Sequence, residues 1–388
     1  MGNQFIDNVV ISAGKIVNSA TQFLRDKLYF FNPMHSIDSE RFQSTLGSMR
    51  VAADPVDSSL HVEDSMQTRL FSHKLKRNIP EVANDDAHFL TDSFTNFAGT
   101  LQYRLFVPSC YHGQSLPLVV MLHGCKQDAD IFATSTQMNH VAERAGCFVL
   151  YPQQIRFANT GKCWTWYKTI NQLRDSGEPA VISDMTKKVI KSYAINADKV
   201  YIAGLSSGAS MAYIIGLAYP ELYAAIGVHS GLLFRGVRNI FSAFATMKQG
   251  SAVGTWPESE LAEGGALSAT PLIVFHGDQD SVVNPKNANE LVAYHQNGRI
   301  YHEVKQNKSV SGHDCTRIVF KQEDGVVFLE QWMIHGAGHA WSGGNEEGSY
   351  ADAKGPNASE EMLRFFLSRN RSVNNVDNTP KNKMENRM

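Results

Sequence analysis

The sequence predicts an α/β fold: a mostly parallel, twisted sheet with helices on both faces, preceded by a helical or irregular N-terminal extension. Three observations carry that expectation. Short apolar, β-branched runs alternate with longer helical patterns from about residue 97 to 370, which is how parallel strands joined by crossover helices read. A G-x-S-x-G pentapeptide stands at the junction of one such strand and helix. Acidic residues and histidines then follow the ends of later strands, in the chain order required of an acid–base pair that serves a serine.

Strands are expected at 101–107, 118–123, 148–151, 200–203, 224–229, 272–276 and 327–334, each rich in Val, Ile, Leu and aromatic residues. Helices fit 129–145, 183–194, 207–219, 286–296 and 359–369. Residues 233–268, with their Gly, Ser and Glu content and Trp256, read as an insertion over the C-terminal edge of the sheet. Open α/β sheets bind ligands at that edge.

Outside this catalytic span the pattern weakens. In the 1–31 segment, Phe5, Val9, Ile16, Ala20 and Phe23 recur at helical spacing, with Asp7, Asn8, Lys15 and Asn18 on other faces, so an amphipathic helix is expected. Residues 32–96 read as a connector, and 371–388, dominated by Asn, Lys, Pro and Glu, as a disordered tail.

Composition excludes several classes of protein. The 36 basic and 38 acidic residues leave a net charge of −2, and the lysines are scattered, as at Lys187, Lys188 and Lys191. No basic stripe marks a nucleic-acid partner. The five cysteines are widely spaced and form no C-x-x-C pair, which argues against a zinc site and against a scaffold built on disulfides. No apolar run of about 18 residues predicts a transmembrane helix. The N-terminus lacks a basic segment followed by an unbroken apolar one, so a cytoplasmic address is expected. Ile6 stands where a myristoylation motif needs Ser or Thr.

Chemistry concentrates around Gly204-Leu205-Ser206-Ser207-Gly208, which directly follows the 200–203 strand and precedes a helical run. A turn that tight has no room for side chains two residues before and after its apex, and glycine occupies both places. Ser206 is thereby lifted clear of the sheet at a helix N-terminus, where partial positive charge favours a developing anion. That is the nucleophile elbow of an α/β-hydrolase. A serine hydroxyl needs a base, and the base needs an orienting carboxylate. Asp280, just beyond the 272–276 strand, is assigned as the acid, with Asp278 as the alternative because a strand end can aim either side chain. His339, in the glycine-flanked loop after the last strand, is assigned as the base, and His335 as an end-of-strand residue. Backbone N–H groups of Ser207 and Cys125 are the expected oxyanion donors, Cys125 lying in the loop after an early strand. Such chemistry needs neither metal nor organic cofactor.

Taken together, Leu122-His-Gly-Cys-Lys-Gln, Cys163-Trp-Thr-Trp-Tyr, Ala203-Gly-Leu-Ser-Ser-Gly-Ala-Ser-Met, His276-Gly-Asp-Gln-Asp and Gly338-His-Ala-Trp-Ser-Gly-Gly resemble the polyhydroxybutyrate depolymerase family of esterases, related to feruloyl and acetylxylan esterases. The resemblance spans about residues 97 to 370 and implies the same triad and oxyanion donors. It also implies that Trp164 and Trp166 line the substrate groove, and that Cys125 and Cys163 pair in a disulfide, which an intracellular address would oppose. Extracellular members carry a signal peptide, a linker and a substrate-binding domain. None is visible here, so an intracellular polyester depolymerase is expected, its N-terminal helix packing on its own catalytic domain or docking on a storage granule. The alternative substrates are feruloyl or acetyl-xylan esters and short-chain carboxylic esters. A non-catalytic granule-binding protein on a hydrolase scaffold is opposed by the intact serine, acid and histidine.

Overall fold

The computed structural model describes residues 87–156, 159–250, 270–296, 302–309 and 312–371. The helix expected within 1–31, all of the 32–96 connector up to residue 86, residues 251–268 of the insertion and 372–388 of the tail lie outside them.

Along the central strands successive side chains point to opposite faces, and here both sets are apolar. Leu118, Val120, Leu122, Ile202, Ile226, Val228 and Val274 enter one core cluster. Val119, Met121, Tyr201, Ala203, Leu205, Ile273 and Phe275 enter another. A strand apolar on both sides must be covered on both sides, which makes a parallel sheet the stable arrangement. Each fully buried Val, Leu, Ile or Phe contributes about 1.5–3 kcal/mol relative to its exposed state.

The resulting sheet has ten strands in the order β1-β2-β4-β3-β5-β6-β7-β10-β9-β8. These are β1 (His88–Asn96), β2 (Gly99–Val107), β3 (Leu116–Leu122), β4 (Phe148–Gln153), β5 (Ile195–Leu205), β6 (Ala225–His229), β7 (Leu272–Gly277), β8 (His302–Ser309), β9 (Asp314–Lys321) and β10 (Val327–Ile334). The pairings from β4 through β3, β5, β6 and β7 to β10 are parallel. Antiparallel pairs finish each side: β1 and β2 beyond β4, and β9 and β8 beyond β10. On the face of the first cluster lie α3 (Gly177–Ser192), α4 (Ser207–Ala218) and α6 (Lys286–Gln296); on the other lie α1 (Ala129–Thr136), α2 (Met138–Ala145) and α7 (Ala358–Leu367).

The seven expected strands and the helices expected from 129 to 369 are present, with differences that have local causes. Expected as one helix, 129–145 is two, because Gln137 takes a left-handed φ of 52° and serves as C-cap of α1 and N-cap of α2. Helix α3 starts at Gly177, six residues before the expected 183, since Glu178 in its first turn is tied to the 165 loop. The catalytic sheet reaches back to His88, inside the span read as connector. Strand β1 is a half-exposed edge, HFLTDSFTN, without the apolar run of a buried strand. Strand β8, HEVKQNKS, is equally polar at the other edge. Within the insertion, α5 (Ile240–Gln249) is started by an Asn239–Ser242 capping box.

Candidate active site

Strand β5 delivers Ser206 to the turn into α4 with φ 56° and ψ −118°, an unusual backbone state for a residue with a side chain. Neighbours hold it there: the Ser206 N–H donates to His229 O at 2.9 Å and its carbonyl accepts Ser210 N–H at 3.0 Å. The two glycines are dictated by space. A Cβ on Gly204 would lie 2.5 Å from the Gly208 carbonyl, and one on Gly208 would lie 2.1 Å from Leu122 O.

The neighbouring strand β3 ends in the His123–Gln127 loop. His123 is fully buried; its Nδ1–H donates to Gly124 O at 2.8 Å and its Nε2 accepts Gln154 N–H at 3.0 Å. Accepting at Nε2 requires the neutral imidazole, and burial lowers its pKa to about 4. The Gln127 side chain accepts the Gly124 N–H at 2.9 Å. Cys125 is joined to Cys163 by a disulfide, with Cα atoms 4.3 Å apart. A disulfide sulfur has no proton to give, so the 3.4 Å contact between Cys125 Sγ and Ser207 Oγ is a hydroxyl donating to sulfur. Cys125 and Ser207 are therefore neighbours beside Ser206.

Trp164 and Trp166, expected along a groove, are buried in the core at 0% and 4% exposure. The Trp164 indole N–H donates to His123 O at 3.0 Å and so supports the loop from beneath.

At the ends of β7 and β10 the structure separates the two acids and the two histidines. Asp280 Oδ2 meets His339 Nδ1 at 2.7 Å, while Asp278 Oδ2 meets His335 Nδ1 at 2.9 Å. The first pair is buried and the second exposed, at 0% and 32% for the carboxylates. Asp280 Oδ1 also accepts Val282 and Val283 N–H at 2.9 and 2.8 Å, and Oδ2 lies 3.3 Å from His276 Nε2. Burial alone would raise its pKa; the hydrogen bonds from His276 and His339, and their charge, outweigh it and hold the carboxyl well below the usual range. His335 is the end-of-strand residue expected, its N–H bonded to Asp314 O at 2.8 Å.

His229, at the end of β6, escaped the sequence reading. It is buried, stacked on Phe275 and Trp341 with ring centroids 5.8 and 5.1 Å away. Its Nε2 accepts Ser342 N–H at 3.0 Å while its carbonyl holds Ser206, so one residue links the elbow to the chain just beyond His339. Burial, then repulsion from His276 and His339, lowers its pKa to about 3. His276, part of a quoted motif but given no role there, donates from Nε2 to Val283 O at 2.9 Å, and its Nδ1 is buried without a partner. For His229 the signal in the sequence was position alone, at the end of a strand adjacent to β7.

Comparison with known proteins follows this geometry. Residues 101–309 match the family model described as Esterase PHB depolymerase. Poly(3-hydroxyalkanoate) depolymerase C of Paucimonas lemoignei is 30% identical over 266 residues, covering 66% of this chain and 63% of that protein. Acetylxylan esterase A of Talaromyces purpureogenus is 30% identical over 202 residues, covering 50% of this chain and 52% of that protein. The chain thus spans roughly half to two thirds of the length of these relatives. Among solved structures, an acetyl xylan esterase from Aspergillus awamori has a TM-score of 0.53 at 22% identity, covering 66% of this chain and 94% of that one, a likeness of fold. With the family model matching more than half of its residues, this α/β-hydrolase chain belongs to the PHB depolymerase family of esterases.

Proposed function

We propose that the chain is a serine esterase that cleaves a polyhydroxybutyrate-type polyester through an acyl-enzyme. The observation that carries this reading is the buried 2.7 Å contact between Asp280 and His339 at the sheet end that also presents the Ser206 elbow. In the first step His339 Nε2 takes the Ser206 proton as Oγ attacks the ester carbonyl, and returns it to the departing alcohol oxygen. Cys125 and Ser207 N–H groups stabilise the oxyanion, and the positive end of α4 adds to them. Water, activated by the same histidine, then releases the acid. Asp280, ionised by its hydrogen-bond donors, holds His339 in the tautomer with Nδ1 protonated and Nε2 free.

The test is release of hydroxy acid from amorphous polyhydroxybutyrate granules, with p-nitrophenyl butyrate as a small ester and Ser206→Ala beside the wild type. Degradation of both by the wild type and neither by the variant supports the depolymerase; cleavage of the small ester alone leaves an esterase and removes the polymer. Acetylated xylan is the second substrate to assay, because an acetylxylan esterase matches at the same 30% identity. Granule attachment through residues 1–31 and a cytoplasmic address remain proposals. The Cys125–Cys163 bond weighs against that address, since cytosolic thiols are kept reduced. Trapping free thiols in freshly lysed cells separates the two: two blocked cysteines at these positions would support the cytoplasm.

A further inference from the structure

We infer that Tyr350 forms the contact surface for the alcohol side of the scissile ester. This rests on the esterase reading above. The Tyr350 ring lies edge-on to the His339 imidazole, with centroids 6.2 Å apart and planes at 78°. It remains 38% exposed, while Trp164 and Trp166 are withdrawn into the core. Its backbone has φ 54°, a left-handed state that disfavours a bulky residue unless the surroundings impose it.

Those surroundings are specific. Tyr350 O accepts Trp341 N–H at 2.7 Å, two residues beyond His339. The preceding carbonyl, Ser349 O, accepts from Gln127 Nε2 at 2.7 Å and Ser135 Oγ at 2.9 Å. Gln127 is the residue that also accepts Gly124 N–H in the proposed oxyanion loop. Strand β12 (Ala351–Asp352) then pairs with β11 (Trp341–Ser342), closing the loop from the other side. One short segment is therefore bonded to both the base loop and the oxyanion loop, and the side chain it presents beside the base is aromatic.

Chemistry fixes which half of the substrate this ring meets. During acylation the carbonyl carbon–Oγ bond forms, the carbon–alkoxy oxygen bond breaks, and the proton taken from Ser206 passes from His339 to that alkoxy oxygen. The departing alcohol is therefore the group beside His339, and the acyl group stays on Ser206. A ring edge-on to the imidazole contacts the alcohol portion, and in a polyester that portion is the hydroxyl-bearing end of the neighbouring unit.

The experiment compares kcat/KM for methyl butyrate and benzyl butyrate, and for methyl acetate and methyl hexanoate, in wild type, Tyr350→Asn, Tyr350→Gly and Tyr350→Phe. Asn and Gly accept the left-handed backbone, so loss of the ring is separated from loss of the loop. The expected result is a loss of about fivefold to tenfold on benzyl butyrate in the Asn and Gly variants, the scale of one aromatic contact. Methyl butyrate should change by less than about twofold. Deacylation, followed by methanol partitioning of the butyryl-enzyme, should be unchanged, and Tyr350→Phe should match the wild type. Equal losses on both alcohols, no loss on either, or a loss that follows acyl length instead would overturn the assignment. Ser206→Ala in the same assays tests the underlying reading: full activity there would remove the esterase itself, whereas an inactive Ser206→Ala beside an unaffected Tyr350→Asn removes only this inference.

Discussion

Asp278 and Asp280 are two residues apart and each contacts a histidine, yet only one pair is suited to a triad. Asp280 spends both oxygens on four donors in a buried setting, and Asp278 meets His335 in partial exposure. An exposed pair is screened and exchangeable, while a buried one holds a single geometry. Asp280→Asn is accordingly expected to lower kcat by about 10⁴, through the wrong imidazole tautomer, and Asp278→Asn by less than about tenfold. Single-turnover assays on p-nitrophenyl butyrate check both. A second expectation concerns the buried histidines. His123 and His229 stay neutral in the fold, with pKa lowered to about 4 and about 3. The unfolded chain binds those protons from about pH 6.5 downward. Their stabilising effect is thus complete above that pH, and each loses about 1.4 kcal/mol per unit as pH falls toward 4. Urea unfolding should show a lower midpoint at pH 5 than at pH 7.5; equal midpoints would mean that these rings are hydrated.

Among elements, the β5–α4 turn is the one whose sequence has least freedom. It is packed under the end of β3, so its glycines answer to backbone atoms that cannot rotate away. A Cβ on Gly208 would press on Leu122 O at 2.1 Å and His123 O at 2.4 Å. Gly208→Ala should therefore displace the β3 loop and with it the proposed oxyanion donors, costing about 1–3 kcal/mol of stability together with activity. Thermal unfolding and kcat should fall together; a variant with wild-type values for both would mean that the loop yields easily. Edge elements carry the opposite lesson. Buried Glu330 on β10 pairs with Arg317 on β9 and Arg364 on α7, at 2.9 and 2.7 Å.

For the molecule as a whole, the Cys125–Cys163 disulfide closes a separation of 38 residues and joins the His123–Gln127 loop to the Trp164 segment. Loop-closure entropy for such a separation amounts to about 4 kcal/mol. Cys163→Ser should lower stability by a few kcal/mol on that basis, with kcat falling because Cys125 loses its tether. Adding reductant to the wild type should reproduce both changes, and insensitivity to reductant would show that the loop is held by His123, Trp164 and Gln127 alone. Among the described residues no helix is long and apolar enough to cross a membrane.

Much of this was legible in the chain order. Parallel strands buried on both faces must be apolar throughout, so their runs stood out. The elbow glycines, Ser206 and the trailing acid and histidine had to follow strand ends in sequence, and they do. Polar edges such as β1 and β8 gave no such signal, because half-exposed strands have mixed composition. Only the tertiary structure divided Asp280 from Asp278, since both leave the same strand end and differ in which histidine folds against them. It alone drew Trp164 and Trp166 inward, seated His229 and His276 behind the Asp280–His339 pair, and carried Tyr350 from the far side of a loop to the edge of His339. Local sequence determines the apolar periodicity and the turns; partners brought together by long-range packing depend on every intervening element, and no local pattern records them.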